Sequence, residues 1–572
     1  MTWHLSESEL FDVEIEPSRF PVLWATQAGE IATPFAFSCV AVWEIAALKA
    51  GEEVSLPPNR GMNIVTKDGL GYFCGVLVKD EEEIARREEV FKKFMLKVMM
   101  NPVKYWEGYK KEMQANIDYL RNFDLEKATN LELVFYMEKA WNIGERHHMI
   151  HFLVMYPFLT AYIMFEQMCQ ELFGFDETDP TFMLLISGFD SRVFQIDRRL
   201  WELSKRAKEL GLETIFQKAE RKELINQLEQ TDKGNAWCRE LRSFLENYGY
   251  RNDSFCDASY PSWIEDPSTA LSYIKGYFEQ TQEEHSLEQV RKKQIMERKK
   301  AQKQLLSKVP KGRERLSFMD RIGALIFSLK FGTWIKNKKA LELAAFLGTA
   351  QQFGVFNEEH NLYIEQAVFV SFRRIAQEVG KRLVKARALD NPEDAFYLTY
   401  SELRRYLLKA EWLDCRPLVA KRRAEYKPGG PNFIGDPSTV EMDIALAKIV
   451  GVAGRGLGVE AKEGADLTGL PASPGVAEGR ARLVSATSEL NTVKDGEILV
   501  SDTTWTTWTP VFARIKGLVT NIGGALSHSA IVAREYGIPA VLSTLEATDK
   551  IKTGQLIRVD GSNGTVHILE KD

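Results

Sequence analysis

The sequence predicts a mainly α, multidomain protein in which a large helical domain is followed by a compact α/β domain of β/β/α type. Three observations carry this. From about residue 81 to 425, apolar residues recur at the 3.6-residue helical spacing. Between 426 and 466 the texture turns to Pro428-Gly429-Gly430-Pro431 and Gly454-Arg455-Gly456-Leu457-Gly458, which reads as a linker or hinge. From 467 to 572 the pattern changes to short apolar runs of strand length, interrupted by one amphipathic helix. At 572 residues the chain exceeds a single ordinary core.

The elements follow in order. Residues 1–80 are mixed, form the first segment of the helical domain, and include a strand at 71–78. Asp190 is placed to cap a helix whose apolar face is Val193, Ile196, Leu200 and Leu203. A second helix carries Ile364, Val368, Ile375, Val379 and Leu383 on one side and stops before Asp390-Asn391-Pro392. Stripes of this kind bury against one another in a bundle. The basic run over 286–316 is interspersed with Glu288 and Glu297 and lacks aromatics, so it reads as a solvated helix face. In the last domain, strands are expected at 476–484, 498–501, 518–521 and 540–543, and a hairpin over 555–569 turning at Asp560-Gly561-Ser562-Asn563-Gly564.

A net charge of −6 gives no reason to expect nucleic acid or an anionic membrane as a partner. Six scattered cysteines without a CxxC suit reduced thiols, and no basic-then-apolar leader is visible at the N-terminus, so a cytoplasmic location is expected. The most apolar stretch, 149–165, falls short of the roughly 20 residues of a spanning helix and reads as a buried one. It contains His151 and follows directly on Glu145, His147 and His148. The His147/His151 pair has a spacing that can bind zinc, but HExxH order is missing, so no metal is assigned and a packed or pocket-lining helix is the expectation. Tyr156, Phe158, Tyr162 and Phe165 read as helical core, with a pocket wall as the alternative.

The chemistry points to His528. Gly523-Gly524-Ala525-Leu526-Ser527-His528-Ser529 opens the helix that ends at Gly537. A helix N-terminus presents unpaired N–H groups and a positive dipole end to an anion. A neutral imidazole there is a competent nucleophile near pH 7, and attack on a phosphoryl group divides one transfer into two easier steps. Donors for the phosphate are expected from Gly523, Gly524, Ser527 and Ser529, with Arg534 as a contact or a structural pair. For the acceptor side, Arg251 and Asp257 are candidates as phosphate clamp and as base or orienter, an ion pair being the alternative.

Residues 523–541 resemble the phosphohistidine signature of the PEP-utilising enzymes. Ala472-Ser473-Pro474-Gly475, Trp508-Thr509-Pro510 and Val559-Asp560-Gly561 are similar to further pieces of that family. The resemblance implies a swivelling domain whose carrier is His528. Where many members have Thr, this chain has Leu526, as in the rifampin phosphotransferase type. The usual Asp-Pro before Trp-Thr-Pro is replaced by Trp505-Thr506, so Trp505 and Trp508 are candidates to flank an aromatic substrate. Upstream, 244–267, 380–383 and 392–398 resemble the helical substrate domain of the same type, except that an Arg-Glu pair is replaced within Asn357-Glu358-Glu359-His360.

Forty-four residues follow His528, fewer than the roughly 200 of a TIM barrel, so no PEP-binding barrel is expected after it. A Gly-rich nucleotide loop is not read at the front. The expectation is therefore an arrangement resembling the alpha subunit of the phenylphosphate synthase type. A separate ATP-grasp-like subunit would hold ATP and Mg2+, and the β-phosphoryl would pass through a covalent phosphohistidine to a phenol, giving aryl phosphate, AMP and phosphate. An antibiotic or other small hydroxyl or carboxyl acceptor, or a non-catalytic phosphocarrier, are the alternatives.

Overall fold

The computed structural model describes residues 24–30, 33–67, 70–190, 192–219, 223–254, 257–279, 287–310, 316–425, 433–434 and 462–570. Most of the expected linker at 426–466 lies outside these.

An antiparallel sheet of order β2-β3-β1-β4 stands at the front, built from β1 (Trp24–Glu30), β2 (Asn59–Lys67), β3 (Leu70–Leu77) and β4 (Phe433–Ile434). Between β1 and β2 runs α1 (Pro34–Val54), started by Thr33 as N-cap with proline at the first position. The bundle continues with α2 (Glu81–Met100), α3 (Pro102–Asn122) and the long α4 (Asn130–Phe173). A capping box of Thr129 and Glu132 opens α4, and Gly174 at φ 77° closes it. The windows of α1 and α4 that are long and apolar enough to cross a membrane are 72% and 78% buried within the fold, which is how core helices behave. The expected buried helix at 149–165 is the second half of α4.

A subdomain follows, with α5 (Arg192–Glu209) and α6 (Asp232–Tyr248). Ile196, Leu200 and Leu203 of α5 are buried in it as expected. Next come α7 (Leu287–Lys308), α8 (Lys338–Asn361), a π-helical turn (Leu362–Gln366) and α9 (Ala367–Lys385). The π turn joins α8 to α9 without a break, and α8 packs along α4. Ile364, Val368, Ile375, Val379 and Leu383 are all buried there.

The C-terminal sheet has eight strands in the order β5-β12-β11-β7-β8-β9-β10-β6. They are β5 (Leu467–Thr468), β6 (Leu470–Ser473), β7 (Val476–Leu483), β8 (Ile498–Ser501), β9 (Gly517–Thr520), β10 (Ala540–Leu542), β11 (Leu556–Asp560) and β12 (Thr565–Ile568). Its centre, β7-β8-β9-β10, is parallel and fully buried in β8, β9 and β10. Helix α10 (His528–Tyr536) crosses from β9 to β10. His528 therefore stands beyond the carboxyl end of a parallel strand, where open α/β sheets place their sites.

The sheet docks on the α5–α6 subdomain through one shared apolar core that includes Phe194, Leu200, Trp263 and Tyr273 on one side and Trp508, Phe512 and Tyr536 on the other. Tyr273 Oη donates to the Thr507 carbonyl at 2.8 Å and Tyr277 Oη to the Pro510 carbonyl at 3.2 Å. Helix α7 also reaches α10, with Gln294 Nε2 donating to the Arg534 carbonyl at 2.6 Å. This corrects the reading of the basic run as a solvated face. Arg298 lies on Phe189 at 3.7 Å and donates to the Ser187 carbonyl, and Arg291 pairs with Asp190 at 2.9 Å. The run uses part of its charge to join helices.

Candidate phosphoryl-transfer site

Ser527 caps α10 by accepting from Ala530 N, which leaves His528 as the first helical residue. Gly523 has φ 141°, and a Cβ there would come within 3.1 Å of Ser527 Oγ, so glycine fits this turn. The Gly523 carbonyl accepts from Ser543 Oγ at 2.9 Å, and the Ser527 N–H donates to the Gly524 carbonyl at 3.0 Å. The two glycines shape the loop.

His528 is held from both domains. Its Nδ1 is 3.2 Å from Glu358 Oε2 on α8, and its Nε2 is 3.2 Å from Thr509 Oγ1 in the Trp-Thr-Pro step. A carboxylate facing Nδ1 favours a proton on that nitrogen, and Nε2 then offers its lone pair when the Thr509 hydroxyl, which donates to the Thr506 carbonyl at 2.9 Å, turns toward it. Ser529 Oγ is 2.8 Å from Thr504 Oγ1, which fixes both hydroxyls beside the imidazole. A cavity of about 120 Å3 opens at this point. Trp43, Met155, Phe158, Leu159 and Trp505 supply apolar wall, while Glu358, Thr504, Ser527, Ser529 and His528 supply polar groups. An apolar chamber with a few convergent polar groups is the ordinary form of a small-molecule site.

At the same cavity, His151 of α4 meets His360 of α8 and Glu365 of the π turn. Glu365 Oε1 is 2.7 Å from His151 Nδ1 and 3.4 Å from His360 Nε2. Burial works against the Glu365 charge, but the two imidazoles outweigh it and hold the carboxyl well below its ordinary range. His147 and His151, which share the i, i+4 spacing, have different partners, and of the two Glu365 is the partner of His151 alone. His147 is bonded to the Tyr363 carbonyl and Asn116, and burial pushes its pKa down to about 4. His148 is bonded to the Gly144 carbonyl within its own helix and is pushed by burial to about 3.

Several expected site residues fall elsewhere. Arg534 is not a phosphate ligand here. Its guanidinium donates to the carbonyls of Ala472 and Ala525, so it braces the loop that presents His528. Trp508 is 1% exposed and donates to Thr487 Oγ1 at 2.8 Å, which makes it core. Arg251 is 3% exposed and stacks on Trp263 at 4.7 Å; burial lowers its pKa to about 10. Asp257 is also buried and accepts from Ser259 N at 2.7 Å. Neither of these two lines the His528 cavity. Gly523 and Gly524 also stand back from it, whereas Ser527, Ser529 and Trp505 line it as expected. Of the aromatic stretch only Phe158 reaches it. Tyr162 lines a neighbouring cavity, Phe165 is core, and Tyr156 Oη bonds the Ala47 carbonyl. Trp43 and Glu365 carried no signal in the sequence, and Glu358, His360 and Thr509 stood there only within motifs, with no site role assigned. The signal for Glu358 and His360 was the replaced Arg-Glu pair, an acid and a histidine where relatives carry another pattern.

Residues 493–564 match the family model "PEP-utilising enzyme, mobile domain", and residues 148–326 match "Rifampicin phosphotransferase fourth domain". The chain is 30% identical over 481 residues to chondramide synthase cmdD of Chondromyces crocatus, covering 80% of this chain and 11% of that protein. It is 27% identical to the uncharacterized phosphotransferase YvkC of Bacillus subtilis (74% of this chain, 47% of that one). With the rifampicin phosphotransferase of Bacillus cereus the identity is 30%, over 62% of this chain and 37% of that one. The chain thus spans less than half the length of these curated relatives.

Proposed function

We propose, from the premise that this chain belongs by its two matched domains to the PEP-utilising phosphotransferases, that it passes a phosphoryl group through His528 to the hydroxyl of a small aromatic acceptor. The observation that carries this reading is the placement of His528, held by Glu358, on an aromatic-walled cavity that both domains build. The donor is ATP with Mg2+, held on a separate ATP-grasp-like subunit, and the product is an aryl phosphate, as in the phenylphosphate synthase type.

The geometry supports each part. Glu358 keeps the Nδ1 proton, so Nε2 takes the phosphoryl group. When the P–N bond breaks, the imidazole leaves as its neutral Nδ1–H form, which needs no further proton. The transition state is loose and in-line, so positioning and charge stabilisation dominate, and the α10 N-terminus with Ser527 and Ser529 faces the developing charge. Trp43, Phe158 and Trp505 suit a ring. A cavity of about 120 Å3 suits a single-ring acceptor and is small beside the roughly 300–1,000 Å3 that drug-sized ligands occupy, which weighs against a large antibiotic.

The test supplies the chain with an ATP-grasp-like partner, ATP, Mg2+ and phenol. Aryl phosphate is expected, and His528→Ala is expected to abolish it. Aryl phosphate formed at an undiminished rate by His528→Ala would refute the reading.

A further inference from the structure

The cluster at the cavity floor has no use in phosphoryl transfer as described so far. Its three residues come from α4, α8 and the π turn. His360 and Glu365 are five positions apart, which on a regular α-helix is about 140° around the axis. The π turn at Leu362–Gln366 widens the helix between them, and both side chains come to one side, facing His151 of α4. A π turn gives up regular hydrogen bonding and is found most often where function requires it.

Five buried polar atoms meet there: His151 Nδ1, both nitrogens of His360 and both oxygens of Glu365. None makes an aligned hydrogen bond among the described residues. Glu365 is 0% exposed. Glu365 Oε1 has ion-pair contacts with His151 Nδ1 and His360 Nε2, but buried polar atoms without aligned hydrogen bonds are costly, and five on three adjoining residues point to a ligand that satisfies them together. One ligand atom from each residue lies within 4.8 Å of the others, and two of the separations are 2.7 and 3.4 Å. Ligands about 2.0–2.1 Å from a zinc ion in tetrahedral array stand about 3.3 Å apart, so a small adjustment closes the set.

We propose that His151, His360 and Glu365 form a site for a divalent transition-metal ion, zinc-like in its donor set, with its remaining position open to the His528 cavity. Two imidazoles and one carboxylate are the ligand set of catalytic rather than closed structural sites. The Trp43 ring, tilted 45° to that of His151 with 5.3 Å between ring centres, gives the site an apolar flank. The open position takes water or the acceptor oxygen. This last role rests on the transfer reading above. A hydroxyl bound there releases its proton to water at a lower pH than a free one. The resulting oxygen attacks phosphorus on His528; the new O–P bond forms as the P–N bond breaks, and the imidazole departs neutral. The ion thereby supplies the activation that Arg251 and Asp257 are too distant from the cavity to give.

The test needs no donor, acceptor or partner. The full chain is stripped with chelator, titrated with Zn2+ and Co2+, and the retained metal is counted by mass spectrometry. One equivalent is expected, with Co2+ bands of a nitrogen–oxygen site and a higher thermal midpoint for the loaded chain. Glu365→Gln and His360→Asn are expected to weaken binding at least about tenfold, whereas His567→Asn on the β12 strand leaves it unchanged. The unloaded midpoints of the variants show whether they fold, so loss of metal in a folded Glu365→Gln supports the site. A wild-type chain that retains no metal, or Glu365→Gln and His360→Asn that retain it equally, overturns the proposal. Either result leaves the His528 reading standing, because turnover is not measured.

Discussion

At the scale of single residues, transfer depends on the groups that touch His528 and not on those that only lie near it in sequence. Glu358 touches Nδ1 at 3.2 Å. Glu358→Gln preserves shape but removes the charge that fixes the tautomer, and orienting carboxylates of this kind are worth up to about 10⁴-fold. We expect phosphoryl transfer to fall by about 10²–10⁴-fold with an unchanged thermal midpoint, read from single-turnover rates. Asp257 is the contrasting case. Asp257→Asn keeps the acceptor for Ser259 N, so transfer is expected to stay near wild type while stability falls by about 1 kcal/mol, read by denaturant unfolding. The sequence made His528 visible because a glycine pair, a Ser-His step and a helix are contiguous. It assigned no role to Glu358 or Glu365, since Glu358 meets His528 only where α8 faces α10, and Glu365 meets His151 only where the π turn packs on α4. Arg534 was ambiguous for the same reason: six residues along, only the loop carbonyls decide where a guanidinium goes.

At the scale of elements, α10 is both the carrier helix and a docking element. Its Glu535 is buried and accepts from the N–H groups of Gly188 at 2.8 Å and Phe189 at 3.1 Å. Burial raises the Glu535 pKa to about 7, with those N–H groups and Arg298 and Arg291 opposing part of the rise. A pKa raised on docking means that the docked form holds the proton more tightly. The associated stability is therefore present in acid and is lost as pH rises from about 4.5 through about 7. The expected result is a thermal midpoint that falls between pH 6 and pH 8 in the wild type and falls less in Glu535→Gln. Equal slopes would show that Glu535 is not the group responsible. Period-3.6 stripes revealed α5 and α9, because each has one apolar side, whereas the buried half of α4 was read from a run of apolar residues. They did not reveal α1, which is apolar over most of its surface and carries no stripe. β5 and β6 escaped because neither Leu467-Thr468 nor Leu470-Pro471-Ala472-Ser473 carries the apolar run that marks β8 and β10.

At the scale of the whole molecule, two domains make one cavity, and neither has it alone. His528, Ser527, Ser529, Thr504 and Trp505 come from the sheet domain, while Trp43, Phe158, Glu358 and the His151 cluster come from the bundle. The sequence changes pattern near residue 467, where β5 begins; nothing in it marked the surface where the halves meet, which includes Phe194, Trp263, Phe512 and Tyr536. If the cavity sets acceptor size, single-ring phenols should be phosphorylated in preference to macrocyclic alcohols, as measured by competing kcat/KM values, and enlarging the wall with Trp505→Ala should narrow that preference. The measurement that most directly tests the central claim is a chase. The chain is charged by an ATP-grasp-like partner with ATP labelled in the β-phosphoryl, separated from nucleotide, and mixed with phenol. The account predicts acid-labile label on His528, located by mass spectrometry, that moves to aryl phosphate in a single turnover. Label on any other residue, or label on His528 that no phenol can discharge, would contradict it.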